Sequence, residues 1–170
     1  ITGVLLKYRV PARKGQPRYQ APLQDAQRAV GLVRFHAAEW HLDPGRIGVL
    51  GFSAGGHLAA AISNNFEKRI YEPVDDADRV SCRPDFAILI YPAYLAENDN
   101  LQKVSPELPV SANTPPTFIV QTENGPVKVD GAIAYYLALR QAKVPVDMHL
   151  YSEGKHGYGL RRTSELVTTW

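Results

Sequence analysis

An α/β fold, with a parallel sheet of about five strands and helices on both faces, is what the order of segments in this chain predicts. Three observations carry that reading. Short apolar runs alternate along the chain with stretches of helical periodicity. The runs are continuously apolar rather than alternating, as strands buried on both faces are. No repeat, low-complexity segment or linker divides the sequence, so residues 1–170 are expected to form a single domain, a reduced version of its fold class.

The elements follow in order. Val4 to Val10 (VLLKYRV) is short, branched and aromatic, and reads as a first strand stopped by Pro11, with a polar loop to Tyr19. Leu23, Ala26, Val30, Val33, Ala37 and Trp40 then recur at the spacing of one helix face, and Pro22 suits a first turn. Asp43-Pro44-Gly45 ends that helix by turn chemistry. Arg46 to Phe52 (RIGVLGF) is a second strand, and the Ala-rich run from Ser53 (SAGGHLAAAISNNF) is a second helix. After a charged stretch over 67–84, Phe86 to Tyr91 (FAILIY) and Thr117 to Thr122 (TFIVQT) are two more strands, separated by a Pro- and Asn-rich connection. Asp130 is placed to cap a helix over Ala132 to Lys143, and Val146 to Tyr151 (VDMHLY) is the last strand.

Composition removes several function classes. Of the 170 residues 45% are apolar and 21% charged, with a formal net charge of +2, so disorder is not expected. A chain of this length buries roughly 70% of its unfolded surface. No run approaches the ~18 apolar residues of a membrane helix. Lys and Arg are scattered, which gives nucleic-acid binding little support. The single cysteine, Cys82, makes no internal disulfide and fits a reducing compartment; no Cys/His cluster points to zinc. The chain opens on Ile1, straight into a strand-like run, so the lack of a leader there assigns no destination.

The sharpest chemical signal is Gly51-Phe52-Ser53-Ala54-Gly55, a G-x-S-x-G lying where a strand meets a helix. A tight turn at that junction exposes the serine Oγ, the glycines avoid clashes, and the helix N-terminus favours developing negative charge. The Ala54 N–H then faces the place of an oxyanion. A phosphate-binding glycine turn is the alternative. Of the five histidines, His36 and His41 lie on or past the first helix, His57 is expected to pack locally, and His149 is within a strand. His156, in Gly154-Lys155-His156-Gly157-Tyr158-Gly159, alone follows the carboxyl end of a late strand, where a base reaches a serine across the sheet edge.

With these residues in place the chain resembles the α/β-hydrolase superfamily, specifically bacterial esterase/lipase-like enzymes allied to acetylxylan and feruloyl esterases. The stretches that carry the resemblance are VLLKYRVP, APLQDAQRAV, RIGVLGFSAGGHLAA, RPDFAILIYPAYL, PPTFIVQTEN and VDMHLYSEGKHGYGLR, in family order over nearly the whole chain. The resemblance implies Ser53 as nucleophile, His156 as general base and the Ala54 amide as one oxyanion donor. It implies no cofactor and no metal.

Two departures stand out. Relatives carry the triad aspartate where this chain has Gly125. Asn124, Glu123, Glu97 and Asp99 are the candidate substitutes, Glu123 being expected to point away on an extended chain. Loss of a triad acid typically costs about 10⁴-fold in kcat. The second departure is the Gly-rich HGGG-like loop and the earlier strands of the resembling enzymes, of which nothing appears here; one lost oxyanion donor costs about 10²–10³. A family strand also lies between VLLKYRV and RIGVLGF. Without it those two runs pair directly or leave edges that invite a second copy, a homodimer.

Two functions are therefore carried forward. One is a serine carboxylesterase acting on small, short-acyl esters, its activity impaired by the missing acid. The other is a degenerate α/β-hydrolase, a pseudoenzyme, binding protein or fragment. Tyr91 and Tyr94 are weak candidates for lining a pocket, and Asp75-Asp76-Ala77-Asp78 reads as a solvated acidic loop, without the spacing of a calcium site.

Overall fold

The computed structural model describes residues 1–10, 14–97 and 100–170. Four strands form one parallel sheet: β1 (Val49–Phe52), β2 (Ala87–Ile90), β3 (Thr117–Thr122) and β4 (Val146–Tyr151), in the spatial order β1-β2-β3-β4. Register is continuous across the sheet, with Gly51 beside Leu89, Leu89 beside Ile119, and Ile119 beside Met148. All four carboxyl ends therefore share one edge, and β1 and β4 are the outer strands.

Helix α1 (Gln20–Phe35) precedes β1, and the crossovers after β1 and β3 carry α2 (Ala54–Asn64) and α3 (Asp130–Gln141). Their buried faces meet in one core: Leu23, Ala26 and Val30 of α1, Leu58 to Ile62 of α2, and Ala132, Tyr135 and Leu139 of α3, against Ala87, Leu89 and Ile119 of the sheet. Leu89 and Ile119 have no exposed surface, and each such side chain stabilises the fold by about 1.5–3 kcal/mol. The run of alanines in α2 lets it lie close to the sheet, and Asn64 Nδ2 of α2 donates to the Tyr135 hydroxyl of α3 at 2.7 Å. A smaller cluster covers part of the opposite face, where Ile90 and Val120 meet Tyr91, Tyr158 and Val167.

The expected class, a parallel α/β sheet in a reduced fold, holds, and several details change. The sheet has four strands, because Val4 to Val10 pairs with none among the described residues. That segment is tied to α1 instead: the Arg9 backbone N–H donates to Asp25 at 2.8 Å, and Leu6 and Tyr8 lean on the core. Branched residues favour an extended chain, but a ladder also needs a neighbour's N–H and C=O groups. The α-helices lie against one face, and the other receives Tyr91, Tyr158 and a 3₁₀ turn, Leu166–Thr169. Helix α1 stops at Phe35, after which His36 and Trp40 stack with ring centres 5.1 Å apart. No side chain caps α3, and Asp130 is its first helical residue.

The acidic stretch is the clearest correction, because Asp78 is buried while Asp75 and Asp76 stay exposed. Asp76–Arg79 is a 3₁₀ helix, and the Asp78 side chain has no exposed surface. Arg28 reaches Asp78 at 3.1 Å and Arg69 at 3.5 Å, the Tyr71 hydroxyl donates to it at 2.5 Å, and the Val74 N–H donates at 2.8 Å. Burial pushes the Asp78 pKa up, but these donors and the Arg28 charge outweigh it and pull it down to about 2.

Candidate active site

Ser53 stands between the end of β1 and the start of α2, with φ 52° and ψ −118°. A non-glycine residue there costs on the order of 1–3 kcal/mol and persists only where its surroundings fix it. They do so through both backbone groups. The Ser53 N–H donates to the Ile90 carbonyl at 3.0 Å, and its carbonyl accepts from Gly56 at 2.9 Å and Ala93 at 3.1 Å. The turn is tight enough that a Cβ at Gly51 would lie 1.9 Å from the Gly55 carbonyl oxygen, so no other residue fits. The Ala54 N–H, first in α2, has no backbone acceptor among the described residues.

His156 reaches this serine from the far side of the sheet. Its loop leaves the end of β4 and returns across the ends of β3 and β2, bringing Nε2 to 2.9 Å from Ser53 Oγ. The imidazole lies against Tyr91, ring centres 4.5 Å apart, and Tyr91 meets Tyr158 edge-on at 4.6 Å. Partial burial lowers the His156 pKa, and no carboxylate among the described residues opposes that shift.

None of the described acid candidates meets the ring. Glu97 pairs with Lys103 at 2.8 Å. Glu123 is exposed, in the turn that follows β3. Asn124 Oδ1 accepts from the Lys155 backbone N–H at 2.8 Å, one residue short of the imidazole. Asp99 lies outside the described residues. Gly125 is pressed against the same loop, since a Cβ there would stand 2.8 Å from the Lys155 carbonyl oxygen.

The other histidines are elsewhere. His57 Nε2 lies 3.2 Å from Glu107 Oε1 and its ring 6.3 Å from Tyr94, and burial outweighs Glu107 to lower its pKa. His149 packs against Phe118 on the sheet face. Tyr91 is buried and Tyr94 exposed, both with positive φ. Thr122, whose hydroxyl donates to the Lys155 carbonyl, and Tyr158 were not singled out by the sequence, because neither belongs to a motif. Among the described residues, no helix is long and apolar enough to cross a membrane, and no group of His, Cys, Asp and Glu is arranged to hold a metal.

A parallel sheet whose first strand runs through a strained serine turn into a helix, with a histidine loop following its last strand, defines the α/β-hydrolase class. Solved structures agree: the chain superposes on an acetyl ester-xyloside bifunctional hydrolase from Caldicellulosiruptor lactoaceticus with a TM-score of 0.81 and 36% identity, over 96% of this chain and 65% of that one. Within the class, the chain belongs to the BD-FAE family, whose model matches residues 3–89. It is 30% identical to endo-1,4-beta-xylanase B of Butyrivibrio fibrisolvens over 90% of its own length, and 29% identical to an acetylxylan esterase of Xylanibacter ruminicola over 81%. It spans 27% and 31% of the lengths of those two relatives.

Proposed function

We propose that this chain carries the catalytic serine and histidine of a carboxylesterase acting on small, short-acyl esters, acetyl groups on sugars among them. The observation that carries the reading is the 2.9 Å contact between Ser53 Oγ and His156 Nε2, made by a serine held in a strained turn. Oγ attacks the ester carbonyl while Nε2 accepts its proton, and the Ala54 N–H donates to the oxyanion. His156 then gives the proton to the departing alkoxide, leaving an acyl group on Ser53. Water attacks that ester with His156 again as base, releasing the acid and restoring the hydroxyl. Side chains, the Ala54 backbone N–H and water supply every group in these steps. The acetylxylan esterase and the acetyl ester-xyloside hydrolase among the similar proteins support the acyl class. Residues 1–170 act as one domain in this reading, and the outer edge of β1, which no strand among the described residues pairs, supports a homodimer, which sedimentation equilibrium tests.

The degenerate-hydrolase reading has one observation in its favour: among the described residues no carboxylate hydrogen-bonds His156. Initial rates of p-nitrophenyl acetate hydrolysis separate the two. A rate that is lost in Ser53→Ala supports the esterase, and equal rates in the two proteins give the degenerate reading the lead.

A further inference from the structure

The His156 loop is an improbable place for a precisely held base. Within Gly154 to Gly159, four residues have positive φ: Gly154, Lys155, Gly157 and Gly159. Three glycines make the unfolded loop permissive, and Lys155 at φ 59° is strained for a residue with a side chain. A triad normally adds a carboxylate that fixes the imidazole from its Nδ1 side. Here Ser53 is the hydrogen-bond partner of His156 among the described residues.

What grips the loop is the tip of β3. Thr122 is the last residue of β3 and Asn124 lies in the turn that follows it. Both reach Lys155, the residue just before His156. Asn124 Oδ1 accepts from its N–H at 2.8 Å, and the Thr122 hydroxyl donates to its C=O. Gly125 permits that approach, because a Cβ there would stand 2.8 Å from the same carbonyl oxygen and 3.3 Å from Thr122 Oγ1. Both backbone groups of the strained residue are thus held by polar side chains, and Tyr91 bears on the imidazole at 4.5 Å.

We propose that Asn124 and Thr122 are positioning residues that clamp Lys155 and thereby aim His156 at Ser53, in place of the orienting role of a triad acid. The clamp supplies direction but no negative charge, so it replaces orientation and leaves the imidazolium without electrostatic support. The proposal rests on the Ser53–His156 reading, and its test is separable from that reading.

Asn124 is exposed, so its replacement leaves folding intact. The full chain is compared with Asn124→Ala and Asn124→Asp by two readouts: p-nitrophenyl acetate kinetics, and hydrogen exchange of the Lys155 amide followed by NMR. Asn124→Ala is expected to lower kcat about tenfold or more with KM changed less than about threefold, since small misplacements of a reacting group act on kcat. Its Lys155 amide exchanges at least about tenfold faster than in the wild type. Asn124→Asp keeps the acceptor and restores both values. An alanine variant within about twofold of wild type in kcat, an unchanged Lys155 exchange rate, or an aspartate variant that falls as far as alanine overturns the clamp. A wild type without Ser53-dependent turnover sinks the esterase reading alone, and the exchange comparison then decides the clamp.

Discussion

Restoring an aspartate at Gly125 looks like the obvious repair of this site, and the structure predicts that the repair fails. A Cβ at position 125 would lie 2.8 Å from the Lys155 carbonyl oxygen, 3.3 Å from its carbon and 3.3 Å from Thr122 Oγ1. Ordinary contacts begin near 3.4 Å, so the carbonyl must retreat by about half an ångström, and crowding of this kind costs about 1–3 kcal/mol. Lys155 is bonded directly to His156, and the retreat is passed to the imidazole. A displacement on the order of 1 Å costs about 10²-fold in rate. A well-placed carboxylate contributes up to about 10⁴-fold, but only from a geometry that this loop does not leave open. The expected order of kcat is therefore wild type above Gly125→Ala by about tenfold, with Gly125→Asp no more than about threefold above wild type. Steady-state p-nitrophenyl acetate hydrolysis measures all three, and urea unfolding checks that each variant is folded. A Gly125→Asp enzyme about 30-fold faster than wild type would refute the argument, by showing that the loop yields and the acid's place was empty.

Other outcomes follow from the same geometry. Asp78→Ala leaves Arg28 and Arg69 facing a buried gap, and should lower unfolding stability in urea by about 3 kcal/mol, the low end for a broken buried pair. Because the Asp78 pKa is pulled down to about 2, its contribution is complete above the unfolded carboxylate value near pH 4 and is lost as pH falls towards 2. Wild type should therefore lose stability more steeply than Asp78→Ala across that window. The active form of His156 is neutral and its pKa is lowered by burial, so kcat/KM should rise with a midpoint below about pH 6.5; a midpoint above 7 would mean that a carboxylate faces the ring. Gly51→Ala places a Cβ 1.9 Å from the Gly55 carbonyl oxygen and should lower stability by more than about 4 kcal/mol, read as a collapse of the urea midpoint.

Strand propensity and turn chemistry made β3 and β4 readable to the residue, because each is six residues long and bounded by Pro, Gly or Asn. The serine turn was equally legible, since a strand, two glycines and an Ala-rich helix leave the chain one way to fold there. His156 emerged by its place after the last strand. The Val4–Val10 run misled because propensity reports how a segment would pair and not whether a neighbour is there to pair with. Asp78 misled in the opposite sense: three acids in four residues look solvated until Arg28, 50 residues earlier, is folded onto them. The grip of Thr122 and Asn124 on Lys155 had no sequence signature at all, being a side-chain-to-backbone contact across more than 30 positions.

The spatial order of the sheet is also its order in the chain. Each strand can dock on the one synthesised just before it, and the pairings β1–β2, β2–β3 and β3–β4 are each as local as a parallel sheet permits. The Ser53–His156 contact breaks that pattern, joining residues 103 positions apart from opposite margins of the sheet. It can form only after every crossover has been completed, and local opening at the β4 margin would separate the pair first. Turnover would then serve as a reporter of the last folding event: an intermediate with three strands in place can have most of its core and no activity.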